Sequence, residues 1–441
     1  MVLKEQLFKQ ALMSTANQTL SMIMGLFSFF LLSRILPRED IAIIGITGGF
    51  IAMFAFLMIT PEVLLFRDYV SFKKNPKKFA ESFLSFWAVR TMLVFSLMLV
   101  GGWLLYSSRG DFLLIYLIGT ALVYHLNTLQ ASIQEFFFVE FKQKDILKMN
   151  LAYQLLFLGG LGIVYVEREL GVYLLLLAVL TGLFSMAWVY RFLKTFPFPL
   201  LLSPSVLKQD FKSVFNTSIL WNHFIGSVAQ LIYRADIFFL GFFATAFAVG
   251  NYTIALTLAG VFIFIPQILQ KMCIVALART TGKENDLFIV NAIIKYSILV
   301  STVQLIGYYL VGDYVLSFVA PTNHAEVYGL GLLLVGGVSL FNAVRPLHGY
   351  AYSRGNLKQL FLEVFLPSAG IALVMYAWAA TQGVQVAAAS NVFVYATLSI
   401  LLIIYAIRRI GYRFHFEWVT PSERELLKKI LHSFSRMTKG A

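Results

Sequence analysis

Twelve apolar stretches of about 20 residues recur along this chain, joined by short connections, and no other feature limits its fold so tightly. In hydrocarbon every backbone N–H and C=O must be paired within the protein, so such stretches cross a bilayer as α-helices. They run roughly over 11–32, 41–66, 83–106, 112–133, 151–166, 171–192, 214–241, 248–275, 287–318, 328–344, 360–380 and 384–407. Composition agrees: 59% of residues are hydrophobic, 13% are charged and the mean hydropathy is +0.78. Soluble domains hold about 45–50% apolar and about 25% charged residues. The expected fold class is an all-α polytopic membrane protein with about 12 transmembrane helices. The segment Met1 to Gln10 leads into a run too long for a signal peptide and reads as the start of a retained first span.

The net charge of +13 is a topology signal. Alternate connections and the C-terminal tail, from Lys4 and Lys9 through Arg345, Arg354 and Lys358 to the residues after Ile407, hold 28 of the 35 Lys and Arg residues. The opposite connections hold four: Arg34, Arg38, Arg109 and Arg168. By the positive-inside rule both termini lie in the cytoplasm, which also favours an even number of spans. The basic balance is therefore no nucleic-acid footprint. Outer connections are short, so no outer domain is expected. No GxxxxGK[ST] phosphate loop is present. Cys273 is the single cysteine, which excludes a disulfide framework, and no His/Cys/Asp cluster has metal-ligand spacing. Neither a metal nor another cofactor is expected.

The chain repeats itself. With Gly45 set against Gly250, Pro61 and Pro266 each fall 16 residues downstream. Polar Glu62 and Gln267 follow, and Leu36 and Leu240 precede the glycines by nine and ten residues. Spans one and two thus resemble spans seven and eight in the same orientation, which implies two six-helix halves related by an axis along the membrane normal. The expected division is an N-terminal lobe over 1–200, a C-terminal lobe over 201–407, and a cytoplasmic tail over 408–441. In that tail Thr420, Pro421, Ser422 and Glu423 form a capping box before an amphipathic helix suited to the membrane surface or to a partner. Pro61 and Pro266 each remove an N–H and clash with the carbonyl four residues back, so both spans should kink there; such kinks serve as hinges or as static bends.

The segment Ser33 to Gly45 resembles the arginine–x–leucine–glycine motif after the first span of polysaccharide transporters, and Asp236 to Tyr252 resembles its second-half counterpart. Pro37 stands where that family has glycine, and Ile41 and Ala42 replace an aromatic residue. On these residues the chain resembles the Wzx-type flippases of the multidrug/oligosaccharidyl-lipid/polysaccharide exporter superfamily. The resemblance implies a V-shaped, MATE-like pair of lobes in a bacterial inner membrane. It implies a flippase, not an enzyme, that moves an undecaprenyl-diphosphate-linked oligosaccharide for O-antigen or capsule synthesis, alongside membrane lipids and polysaccharide assembly proteins.

Such cargo needs cations for its diphosphate, Arg above all, and polar groups for its sugars. Arg234 lies in span seven, Arg90 in span three and Lys295 in span nine; the last two are also near enough to the cytoplasmic edge to snorkel. His125 and Gln130 in span four, and Asn222, His223 and Gln230 in span seven, are further substrate-binding candidates or interhelical hydrogen bonds. Asp236 is two residues from Arg234, so on one helix they point apart. Two alternatives remain: a MATE-like multidrug exporter, weakened by a first span without a carboxylate, and a polytopic membrane transferase, which wants catalytic residues on sizeable outer loops.

Overall fold

The computed structural model describes residues 2–54, 57–58, 76–107, 111–139, 142–195, 218–277 and 282–414. These are almost wholly helical. In chain order the helices are α1 (Val2–Ile35), α2 (Arg38–Met53), α3 (Pro76–Tyr106), α4 (Asp111–Val139), α5 (Gln143–Glu167) and α6 (Leu170–Thr195). The second half holds α7 (Ser218–Phe243), α8a (Ala246–Val261), α8b (Phe264–Leu277), α9 (Lys283–Val319), α10 (His324–Arg354), α11 (Leu357–Gln382) and α12 (Val384–Ile410). Eleven of the described helical stretches are long and apolar enough to cross a membrane. The remaining expected span, 41–66, is described only through α2 and three further residues. Pro61, the expected lobe boundary at 200/201 and the expected tail helix lie outside the described residues.

Within the first half α1 packs on α5, and α4 packs on α6 and α3. Within the second half α10 is central, touching α8a, α8b, α9 and α12, while α7 packs on α11. The halves meet chiefly where α2 lies against α7 and α8a. Glycine makes that approach possible. A methyl group on Gly250 would strike the Arg38 backbone, and one on Gly49 would come 3.0 Å from Phe238 N and 3.2 Å from Arg234 O. Gly241 lies against Ile46, and Gly45 against Ile237 and Thr253. The glycines that mark the sequence repeat, Gly45 and Gly250, are therefore both on the seam between the halves. Arg38 Nη2 donates to Thr322 O at 3.4 Å, Arg34 sits 5.3 Å over the Phe318 ring, and Tyr106 stacks on Phe242 at 5.4 Å, all across the same seam. Burial lowers the Arg38 pKa, partly opposed by Glu39. Burial, helped by Glu39, raises that of Asp40.

Three helices depart from plain α geometry, and proline explains two of them. Pro266 has no N–H for the Phe262 carbonyl, and the ladder breaks there: Phe262 and Ile263 turn tightly onto Ala259 and Gly260, and the α pattern resumes from Gln267 N to Ile263 O at 3.0 Å. In α11, Pro367 leaves the Glu363 carbonyl without its donor, and residues Phe361–Phe365 adopt a π-helical turn. A second π-turn, Ala406–Ile410, closes α12 at Gly411, whose φ of 69° is the left-handed cap that glycine takes freely. The two π-turns are joined by the Arg409–Glu363 ion pair at 2.7 Å.

Candidate functional site

The site is built around α7. His223, Ser227, Gln230 and Arg234 recur at spacings of four, three and four, so they share one face of that helix. His223 Nε2 and Ser227 Oγ are 3.1 Å apart, Gln230 is exposed, and Arg234 is half-buried. Asn222, also half-buried, sits beside this stripe. Arg234 makes no hydrogen bond or ion pair among the described residues, although its own carbonyl lies where α2 meets α7. The guanidinium is within electrostatic reach of Asp236 and of Tyr395.

Asp236 faces the other way, into the second half. It is fully buried and accepts from Tyr252 Oη at 2.5 Å, Asn391 Nδ2 at 2.6 Å and its neighbour Ile237 N at 2.7 Å. These bonds fasten α7 to α8a and α12. Tyr376 Oη donates to Ile232 O at 3.2 Å and fastens α11 as well. Asp236 is therefore a framework carboxylate.

In the first half, Arg90 and His125 come together. Both are buried, on α3 and α4, and Arg90 is within electrostatic reach of His125 and Tyr124. Phe95 and Tyr124 pack edge-on against the imidazole at 5.6 and 5.7 Å, and neither ring nitrogen has a hydrogen-bond partner among the described residues. A buried polar ring without partners costs about 1–3 kcal/mol, so the imidazole of His125 stands out in this half. Gln130 differs: its amide donates to Thr181 O and Ser185 Oγ, both at 3.0 Å, and so is spent on tying α4 to α6. Lys295 is half-buried on α9 with Nζ 5.3 Å over the Tyr296 ring.

One buried cation escapes the reading of the sequence. Arg345 was expected in a cytoplasmic connection; instead α10 runs through Pro346 to Arg354, and Arg345 is 5% exposed. The helix survives because the Asn342 carbonyl, deprived of its donor by Pro346, accepts from Ser297 Oγ at 2.6 Å. Arg345 and Arg234 both lie within electrostatic reach of Tyr395, whose ring packs against Tyr233 and Phe341 at 5.8 and 6.3 Å. Phe341 and Tyr395 are themselves buried, so the rings form a packed wall beside the two arginines, whose guanidinia can bind an oxyanion. The cue in the sequence was the continuation of helical spacing past Pro346 through Gly349 and Ala351. Among the described residues no group of three His, Cys, Asp or Glu side chains could hold a metal.

Solved structures of membrane transporters share this fold along nearly the whole chain, at low sequence identity. The lipid II flippase MurJ in an inward closed conformation superposes with a TM-score of 0.69 at 12% identity, covering 90% of this chain and 87% of that one. An inward-facing multidrug resistance transporter of the MATE family gives 0.61 at 14% identity, covering 89% and 94%. The eukaryotic MATE transporter AtDTX14 gives 0.54 at 12% identity, covering 94% and 98%. No family model matches the chain, and no curated protein matches it in sequence.

Proposed function

We propose that this protein is a flippase that carries an undecaprenyl-diphosphate-linked oligosaccharide across a bacterial cytoplasmic membrane by alternating access, without chemical change to its cargo. The observation that carries this reading is Arg234: a half-buried guanidinium inside a span, with no hydrogen bond or ion pair among the described residues. An intramembrane cation is costly and persists where it faces a water-filled path or an anionic ligand. A diphosphate supplies that anion and takes the planar guanidinium through two parallel bonds. Arg90, His125 and Lys295 extend the same preference. Closure at the α2–α7–α8a seam, at the end assigned to the outside by charge, leaves cargo to enter from the cytoplasmic side. The kink at Pro266 serves as the hinge.

The superposition on two MATE transporters supports the second reading, a multidrug exporter. Two guanidinia near one another, those of Arg234 and Arg345, repel cationic drugs, which favours the first. Proteoliposomes separate them: wild-type protein flips a fluorescent prenyl-diphosphate oligosaccharide and does not move ethidium. A charge-assisted hydrogen bond is worth about 1.5–3 kcal/mol, so Arg234→Ala slows flipping roughly 10- to 100-fold while inserting normally. Ethidium transport without diphosphate flipping refutes the flippase.

A further inference from the structure

Arg345 is buried with a full charge and only neutral company. Nε donates to Gln270 Oε1 at 2.9 Å, Nη1 donates to Asn342 Oδ1 at 3.3 Å, and the Phe341 ring lies 5.4 Å from the guanidinium. No described carboxylate comes within ion-pair distance. Two amide oxygens offset part of the cost of burying a cation; an oxyanion would offset far more of it. Gln270 lies on α8b, beyond the kink, so any bending at Pro266 carries one of these acceptors with it.

Asn342 links this cation to the kink. Its Oδ1 accepts from Arg345, while its Nδ2 donates at 2.9 Å to Phe262 O, the carbonyl that Pro266 leaves orphaned. Its own carbonyl is the one orphaned by Pro346 and capped by Ser297. A single amide side chain therefore spans the α8 break and the seat of Arg345.

We propose that Arg345 is a second, latent contact for the phosphate oxyanions of a prenyl diphosphate, and that Asn342 couples its occupancy to bending of α8. The proposal rests on the flippase reading and names a residue and a linkage within it. An arriving oxyanion takes the Nη1 and Nε donors from Asn342 and Gln270. Asn342 is then free to leave Phe262 O, and the α8a–α8b junction loses its brace. Arg234 is within electrostatic reach of the same Tyr395.

The test uses full-length protein in neutral-lipid nanodiscs with farnesyl diphosphate as probe. Spin labels at Phe247→Cys and Met272→Cys, both exposed, report the α8 bend in a Cys273→Ser background. Wild type binds the probe, and the label distance changes. Arg345→Gln weakens binding at least tenfold and abolishes the change; Arg345→Lys retains part of the affinity. Asn342→Ala, which also removes a competing acceptor, does not weaken binding, yet loses the ligand-linked change. Gln270→Leu removes a competing acceptor and tightens binding, whereas a merely structural arginine would lose stability with no gain in affinity. Wild-type behaviour from Arg345→Gln, or no tightening in Gln270→Leu, overturns the role of Arg345 and leaves the flippase standing. Failure of wild type to bind any prenyl diphosphate while moving ethidium overturns both.

Discussion

Gly250→Ala should open the seam between the halves. The added methyl meets the carbonyl oxygen of Arg38, with its carbon at 2.8 Å and its Cα at 3.1 Å, all backbone atoms that no rotamer change can move. Helix α2 must back away from α8a, taking with it the Arg38–Thr322 contact and the fit of Ile46 on Gly241. Overpacking costs up to about 3 kcal/mol, and alanine in a helix returns about 1 kcal/mol relative to glycine. The remaining 2 kcal/mol or so amounts to a roughly 30-fold shift away from the sealed form. Gly48→Ala is the control: it lies on α2 with nothing within 4 Å, so it gains helix propensity and loses no contact. The assay is labelling of an Ile46→Cys reporter, in the Cys273→Ser background, by a membrane-impermeant maleimide added outside intact cells. Labelling should accelerate by more than tenfold in Gly250→Ala and stay at the reporter's own rate in Gly48→Ala. Equal rates in the two, at equal protein levels, would refute the seam as the closed gate.

Further outcomes are expected elsewhere. Gln130→Leu removes two hydrogen bonds between α4 and α6 and should lower stability by about 1–3 kcal/mol, read as a fall in detergent melting temperature. Arg354→Ala breaks a two-pronged pair with Asp286, at 2.8 and 3.1 Å, and a bond to Leu277 O at 2.7 Å. With the guanidinium about one-third exposed, the cost is about 1–2 kcal/mol, and moderate salt should lessen the deficit. Because the folded-state pKa of Asp40 is raised, the native chain binds that proton more tightly than the unfolded chain does. Stability from this residue therefore rises as pH falls from above the raised value toward the unfolded value of about 3.9, and Asp40→Asn should flatten that slope in pH-dependent melts.

How much of this was legible in the sequence differs from residue to residue. The helices were, because a span must be apolar over its whole length whatever its neighbours are. The spacing of Gly45 and Gly250 revealed a repeat, but not that these glycines touch the other half. Contact across a seam depends on which faces meet, and periodicity along one helix does not encode that. Arg234 was legible as a charge inside a span. Arg345 was not, since a helix running through Pro346 becomes visible only when the carbonyl that the proline orphans, that of Asn342, finds Ser297, 45 positions earlier in the chain. Asn342 gave no signal at all: a lone asparagine in an apolar run does not say which carbonyl it serves.

The paired π-turns carry a consequence for how such a chain can vary. Each is a turn holding one residue more than an α ladder needs, its bond running from residue i+5 back to residue i. Deleting one residue within 361–365 would restore plain α geometry and turn everything on the Leu357 side by about 100°. Phe361 would then lose Trp221, now 5.6 Å away, and Glu363 would lose Arg409. A compensating deletion within 406–410 would turn Arg409 instead. Lengths of the two segments should therefore change together among relatives of this chain, as a pair of matched insertions across the α11–α12 hairpin.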